Sequence, residues 1–179
     1  NFVFLSLNPK FFYDTSKACA DMISKSYASN PKKPLPIIIT RFANIFGPGQ
    51  MNFSALIPDC IRSSLKYSTF EPRGNWRDTR DFLYVRDTAK GIILAAEKYN
   101  ESDPINLGSE LEISIKDLAK MIGDLMDFSG EIEWDNSKPN GQPRRCVSNK
   151  KAEEKFGFIP KVTLKNGLNQ TIEWFNSQQ

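Results

Sequence analysis

The sequence predicts an α/β protein with a parallel sheet, and three observations carry that expectation. Two short apolar runs, Phe2-Val3-Phe4-Leu5 and Ile37-Ile38-Ile39, have the length of strands buried on both faces. A helical pattern lies between them, and strand–helix–strand is the βαβ unit that yields parallel pairing. Short strand-like and amphipathic helical stretches then continue to the C-terminus, with no internal repeat and no long linker.

The first helix starts near Tyr13 and must end before Pro31 and Pro34, because proline removes a donor and clashes with the preceding turn. The strand Ile37-Ile38-Ile39 is followed by a loop at Gly47-Pro48-Gly49 and a helix from about Asn52 to Leu65. Asp87 reads as the N-cap of a helix carrying Ala89, Ile92, Ile93 and Ala96. Pro104-Ile105-Asn106-Leu107-Gly108 is a short strand ending in a turn. Ser114 then caps an amphipathic helix with Ile115, Leu118, Ile122 and Leu125 on one face. A short strand around Ile132 to Trp134 enters the turn-rich SKPNGQP, and the last helix gathers Leu164, Leu168, Ile172 and Phe175 on one side.

Composition narrows the function classes. The chain has 179 residues, 40% apolar and 25% charged, which is a soluble globular composition. No apolar run approaches the ~20 residues of a membrane span, and the N-terminus lacks the basic-then-apolar layout of a secretory signal. A net charge of +3 without basic clusters interleaved with aromatics argues against nucleic acid as a partner. Cys19, Cys60 and Cys146 are scattered and odd in number, with no disulfide framework and no metal-ligand spacing, so a cytoplasmic setting is expected. The sequence contains no histidine, which excludes imidazole as base, nucleophile partner or metal ligand.

Tyr13 and Lys17 stand four positions apart on one face of the first helix, within reach of a common ligand. A phenol titrates near ~10 and is a poor base at neutral pH, whereas a neighbouring ammonium favours phenolate and makes a phenol a usable acid/base group. Any helix can carry this pair, so the spacing alone selects nothing. The stretch RFANIFGPGQ (41–50) follows a predicted buried strand, where ligands of open α/β sheets sit. Asn44 there suits a phosphate or sugar, and Gly47 and Gly49 permit close backbone approach; an ordinary turn is the alternative. In RDTRDFLYVRD (77–87), Arg80 suits a bidentate grip on a diphosphate with Asp81 orienting it, or else a solvated salt-bridge cluster. KPNGQPRR (138–145) is a turn followed by two arginines, again suited to phosphate or to the surface.

Taken in order, Tyr-x-x-x-Lys, Arg-Phe-x-Asn-Ile-Phe-Gly-Pro-Gly, Arg-Asp-Phe-Leu-Tyr-Val-x-Asp and Ile-Asn-Leu-Gly resemble the extended short-chain dehydrogenase/reductases. More narrowly, they resemble the nucleotide-sugar epimerase/dehydratase family, and the closing KFGFIPKVTLKNGLNQTIEWF is similar to that family's C-terminal region. The resemblance runs from Tyr13 to about Phe175. It implies Tyr13 as general acid/base, and Lys17 as the group that holds the nicotinamide ribose and lowers the pKa of the tyrosine. Phe42 and Asn44 would complete the cofactor side of the site, with NAD or NADP as the cofactor. The substrate implied is a nucleotide-diphosphate sugar, oxidised transiently so that epimerisation or dehydration follows. Asn44 and Arg80 would grip its phosphates, Asn52, Leu56, Ile57 and Pro58 would line its nucleotide, and Lys138 takes a position where some relatives have a phosphate-binding arginine. A homodimer through the Tyr13–Lys17 helix is implied as well.

The resemblance also implies a division of the chain. Residues 1–45, with 82–107 returning to them, would be the C-terminal part of a Rossmann-type parallel sheet; 46–81 and 108–179 would form a small α/β substrate-binding domain. The glycine-rich dinucleotide motif of the family has no match here, so the chain reads as the C-terminal part of a longer protein, inactive by itself. The stretch NFVFLS resembles the strand carrying the family's catalytic Ser/Thr, but Leu7 falls where the hydroxyl residue belongs, and Ser6 is nearly adjacent to Tyr13. WDNSKPNGQPRR resembles GDP-fucose synthases, yet Gly49 stands where those enzymes place a histidine, and MNFSALIPD is closer to dehydratase-like members. A GDP-fucose synthase-like epimerase/reductase and a catalytically silent binding remnant are the alternatives.

Overall fold

The computed structural model describes residues 12–52, 55–67, 69–70, 76–134 and 142–178. Phe2-Val3-Phe4-Leu5, Ser6, Leu7 and Lys138 lie outside them. In chain order the elements are α1 (Phe12–Ala28), β1 (Thr40–Phe42), β2 (Asn44–Phe46), α2 (Leu56–Lys66), β3 (Thr69–Phe70), β4 (Thr79–Tyr84) and α3 (Val85–Lys98). There follow β5 (Ile105–Leu107), β6 (Glu112–Ser114), α4 (Ile115–Leu125), β7 (Glu131–Ile132), β8 (Arg144–Arg145), α5 (Lys150–Phe156) and α6 (Leu164–Ser177).

Parallel pairing dominates. β1 pairs with β5, β2 with β4, β3 with β7 and β8 with β4, all parallel, while β6 closes on β4 antiparallel. β4 is the hub, with β2, β6 and β8 bonded to it. Its side chains alternate between two cores, as a strand buried on both faces requires. Phe82 and Tyr84 enter a core built with Phe46, α2, α4 and α6; Leu83 enters a second with Ala43, Ala95, Ile105, Leu107 and Phe158.

Three expectations change. The apolar run Ile37-Ile38-Ile39 precedes the strand instead of forming it: β1 begins at Thr40, although Ile39 O already accepts from Ile105 N at 2.9 Å. The helix expected from Asn52 starts at Leu56. Asp87 does not cap α3; the cap position is Tyr84, with no side-chain bond, and Asp87 is a buried first-turn residue. Its Oδ2 instead accepts from the N–H groups of Lys161 and Val162 at 2.9 and 2.8 Å, tying the segment before α6 to α3. The buried side of α3 accordingly runs through Asp87, Thr88, Gly91 and Ala95, leaving Ala89, Ile92, Ile93 and Ala96 exposed. Ser114 caps α4 as its sequence requires, with Oγ accepting from Asp117 N. Leu164, Leu168, Ile172 and Phe175 are buried along α6.

No helix among the described residues is long and apolar enough to cross a membrane.

Candidate functional site

Helix α1 supplies one wall of the site. Tyr13, Lys17 and Asp21 follow at intervals of four and share one side of it. Lys17 Nζ lies 5.3 Å from the centre of the Tyr13 ring. Opposite them stand residues 40–45, and together with Asp14 and with Arg145 from β8 they line an open cleft of about 510 Å³.

What aims α1 at this cleft is polar. The helix has no buried residue, and Asp14, Ala18, Asp21, Ser24 and Ala28 form its half-buried side. Arg41 of β1 donates from Nε and Nη2 to Asp21 Oδ2 at 2.8 and 2.5 Å, with the two side chains 17% and 16% exposed. A part-buried ion pair of this kind is directional, and it fixes the helix one turn beyond Lys17. Ala43, between β1 and β2, donates its N–H to Leu107 O at 2.9 Å, holding the floor. Asn44 Nδ2 donates to Asp81 O at 2.9 Å, which fixes the amide and leaves Oδ1 as an acceptor.

Arg80 stands on β4, in parallel register beside Arg145 of β8. Its Nη1 donates to Thr79 O at 2.7 Å, and its Nη2 lies 3.4 Å from Asp78 Oδ2. Burial lowers the pKa of this guanidinium; Asp78 opposes the shift and Arg145 adds to it. Asp78 is therefore the carboxylate beside Arg80, and not Asp81 as the sequence suggested. Strand alternation sends Asp81 to the other side, where Oδ1 accepts from Ser109 N and Oγ at 2.9 and 2.6 Å. Its Oδ2 is buried with no hydrogen-bond partner among the described residues. Burial pushes the carboxyl pKa of Asp81 up, with the Ser109 bonds opposing it.

β8 is held in place by charge. Arg144 donates from Nε and Nη2 to both oxygens of Glu112, at 2.7 to 2.9 Å, and Thr79 Oγ1 donates to Glu112 Oε1 as well. These bonds hold the Glu112 carboxyl below its ordinary range. Arg145 follows directly, its Nε 3.4 Å from Gln142 Oε1.

The cleft thus brings together Tyr13, Lys17, Phe42 and Asn44, with Arg80 one strand away through Arg145. Asn52 is exposed and Leu56 half-buried, both outside the cleft lining, while Ile57 and Pro58 turn into the core from the first turn of α2. Lys138 lies outside the described residues. Asp21 and Arg41 line the cleft without having been assigned a role from the sequence, and Arg145, the second arginine of KPNGQPRR, lines it too. For Asp21 the signal was present, four residues after Lys17 on the same helical side. Among the described residues no group of three or more His, Cys, Asp or Glu side chains is placed to hold a metal ion.

Known proteins resemble this chain in sequence and in fold. The model of the "NAD dependent epimerase/dehydratase family" matches residues 3–108. A GDP-L-fucose synthase of Sinorhizobium fredii is 32% identical over 161 residues, 86% of this chain and 49% of that protein. UDP-glucuronic acid decarboxylase 1 of Xenopus tropicalis is 31% identical over 173 residues, 96% of this chain and 40% of that protein. Among solved structures, dTDP-glucose 4,6-dehydratase of Bacillus anthracis, in complex with NAD, superposes with a TM-score of 0.86 at 28% identity, over 96% of this chain and 54% of that one. The chain spans about half the length, or less, of these relatives.

Proposed function

The chain belongs to the NAD dependent epimerase/dehydratase family, and from that premise we propose that it carries the catalytic helix and the substrate side of an enzyme acting on nucleotide-diphosphate sugars with NAD or NADP. The observation that supports this most is the shared cleft: the phenol of Tyr13, the ammonium of Lys17 and the amide of Asn44 meet there, with Arg145 at its rim.

Those residues suit the ribose–nicotinamide end of a dinucleotide. They offer cationic and amide donors, an acceptor and the Phe42 ring in one open space. Bound there, the dinucleotide would accept and return a hydride at a sugar carbon. The chain's own part is proton handling and orientation. Tyr13 Oη takes the proton of the sugar hydroxyl as that carbon is oxidised and gives it back on reduction. Lys17, beside the ring, balances the negative charge this leaves on the phenol oxygen and donates to ribose hydroxyls. Arg80 is assigned to the diphosphate, where two parallel N–H groups match the phosphate oxygens. Asn52 and the N-terminal turn of α2, Leu56 to Pro58, are assigned to the nucleotide; Ile57 and Pro58 have their side chains in the core, so any contact from them is through backbone. Residues 1–45 and 82–107 form the cofactor side and 46–81 and 108–179 the substrate side in this proposal, with Val147 to Phe158 packed against the cofactor side.

Calorimetric titration of the chain with UDP-, GDP-, CDP- and dTDP-sugars tests the reading. Binding of at least one is expected; a folded chain that binds none would sink it. In a protein that turns over substrate, Tyr13→Phe should lower kcat by about 10²–10⁴ and leave KM nearly unchanged.

A further inference from the structure

The helix that carries Tyr13 and Lys17 is joined to the sheet by charge. Apolar burial is what ordinarily fixes a helix on its neighbours, and α1 has no buried residue. Its C-terminal turn bonds only to the segment that follows it: Ser29 N donates to Lys25 O at 3.0 Å, and Leu35 N to Tyr27 O at 3.3 Å. Asp21 is the residue that reaches the strands. Its Oδ2 accepts from both Nε and Nη2 of Arg41 on β1, with the two side chains mostly withdrawn from water. Two N–H groups on one carboxylate oxygen set direction as well as distance.

A second set of charges lies one turn further along α1. Lys151 of α5 donates to Asp103 Oδ2 at 2.5 Å and to Asp103 O at 3.3 Å. The Asp103 carboxyl is held below its ordinary range first by that bond, and also by the charges of Lys25 and Arg41. Lys25 belongs to the last turn of α1. Asp21 and Lys25 thus meet charges of opposite sign, Arg41 and Asp103, and a slide or roll of the helix would disturb both attractions.

A helix held at Asp21 is held far from its reactive end. Tyr13 precedes Asp21 by two turns, a rise of about 12 Å. A tilt of about 10° about the ion pair would carry the phenol about 2 Å, several times the tolerance of about 0.5 Å that a productive geometry allows. Resting on the reading above, we propose that Arg41 is a positioning residue: acting through Asp21, it sets the tilt of α1 and so presents Tyr13 and Lys17 to the cleft. Arg41 needs no contact with the reacting atoms for this.

Hydrogen–deuterium exchange tests the hold, and fluorine NMR tests its effect at the site. The five tyrosines are replaced by 3-fluorotyrosine, and the Tyr13 signal is assigned by its loss in Tyr13→Phe. Arg41→Gln should speed exchange at residues 16–28 by at least about tenfold, with residues 82–84 and 118–122 unchanged. It should also shift the Tyr13 signal while leaving those of Tyr67 and Tyr84 in place. Arg41→Lys keeps the charge and loses the fork, so it should fall between the parent and Arg41→Gln in both measurements. Unchanged exchange in α1 on Arg41→Gln overturns the proposal. So does equal acceleration throughout the chain, which would make Arg41 a general fold residue. A Tyr13 signal that stays in place while α1 loosens overturns it as well, since the phenol would then be held from elsewhere. None of these readouts needs a ligand, so their failure leaves the family function standing. Failure of every nucleotide sugar to bind in the titration above removes the reading on which the proposal rests, and the proposal with it.

Discussion

Asp87 shows how one side chain can hold a fold at a distance in sequence. It is 5% exposed, and its Oδ2 receives two backbone N–H groups from Lys161 and Val162. Asp87→Ala leaves both donors unpaired beside α3 and should cost roughly 2–4 kcal/mol, read as a lower midpoint in urea unfolding. Asp81 acts in the opposite sense. Its folded-state carboxyl titrates above the ordinary value of 3.8 because it is buried. The folded state then binds the proton more tightly than the unfolded one, so the contribution of Asp81 is fully present below the ordinary value and is lost as pH rises through the raised one. Asp81→Asn keeps a carbonyl for Ser109 and does not ionise. Its stability relative to the parent should therefore rise as pH increases above about 4; a difference independent of pH would refute the assignment. Neither role was legible in the sequence, where Asp87 reads as a helix cap and Asp81 as a partner for Arg80. Both acids sit at positions where those local rules apply, and tertiary contacts from residues 109 and 161–162 override them.

At the scale of elements, α6 illustrates close packing through glycine. A Cβ on Gly167 would stand 2.7 Å from Phe46 Cζ and 2.8 Å from Tyr84 Cδ2. Phe46 and Tyr84 themselves meet edge to face, and Tyr84 Oη donates to Gln170 Oε1 at 2.8 Å on the same helix. The helix can lie this near the sheet only without a side chain at 167. Gly167→Ala should cost about 1–3 kcal/mol by overpacking, against the small gain in helix propensity that alanine brings, and thermal unfolding would register the difference. Gly47 is a second such position: its φ is +152°, and a Cβ would meet Val85 Cγ1 at 2.5 Å. The amphipathic helices were the easiest elements to read, because α4 and α6 bury the periodic residues that define them. α3 was legible as a helix, but its buried face was not marked by its apolar residues. Its small residues, Gly91 and Ala95, face the core, and its larger ones, Ile92 and Ile93, stay exposed.

Across the whole molecule, the motifs in RFANIFGPGQ and RDTRDFLYVRD became the adjacent parallel strands β2 and β4, with Asn44 opposite Phe82 in register. The order of motifs was legible; the arrival of β8 at the cleft was not, since a two-residue strand has no periodicity to read. β4 carries a larger consequence. It is one strand with Phe82 and Tyr84 in one core and Leu83 in the other. Its backbone amides are released to solvent only when both cores come apart, so neither core can melt alone without disrupting the strand they share. Hydrogen–deuterium exchange should find the slowest amides of the chain at residues 82–84. Leu118→Ala in one core and Phe158→Ala in the other should accelerate them alike, each in proportion to its loss of global stability. The two faces of one six-residue strand thereby make the two cores a single cooperative unit.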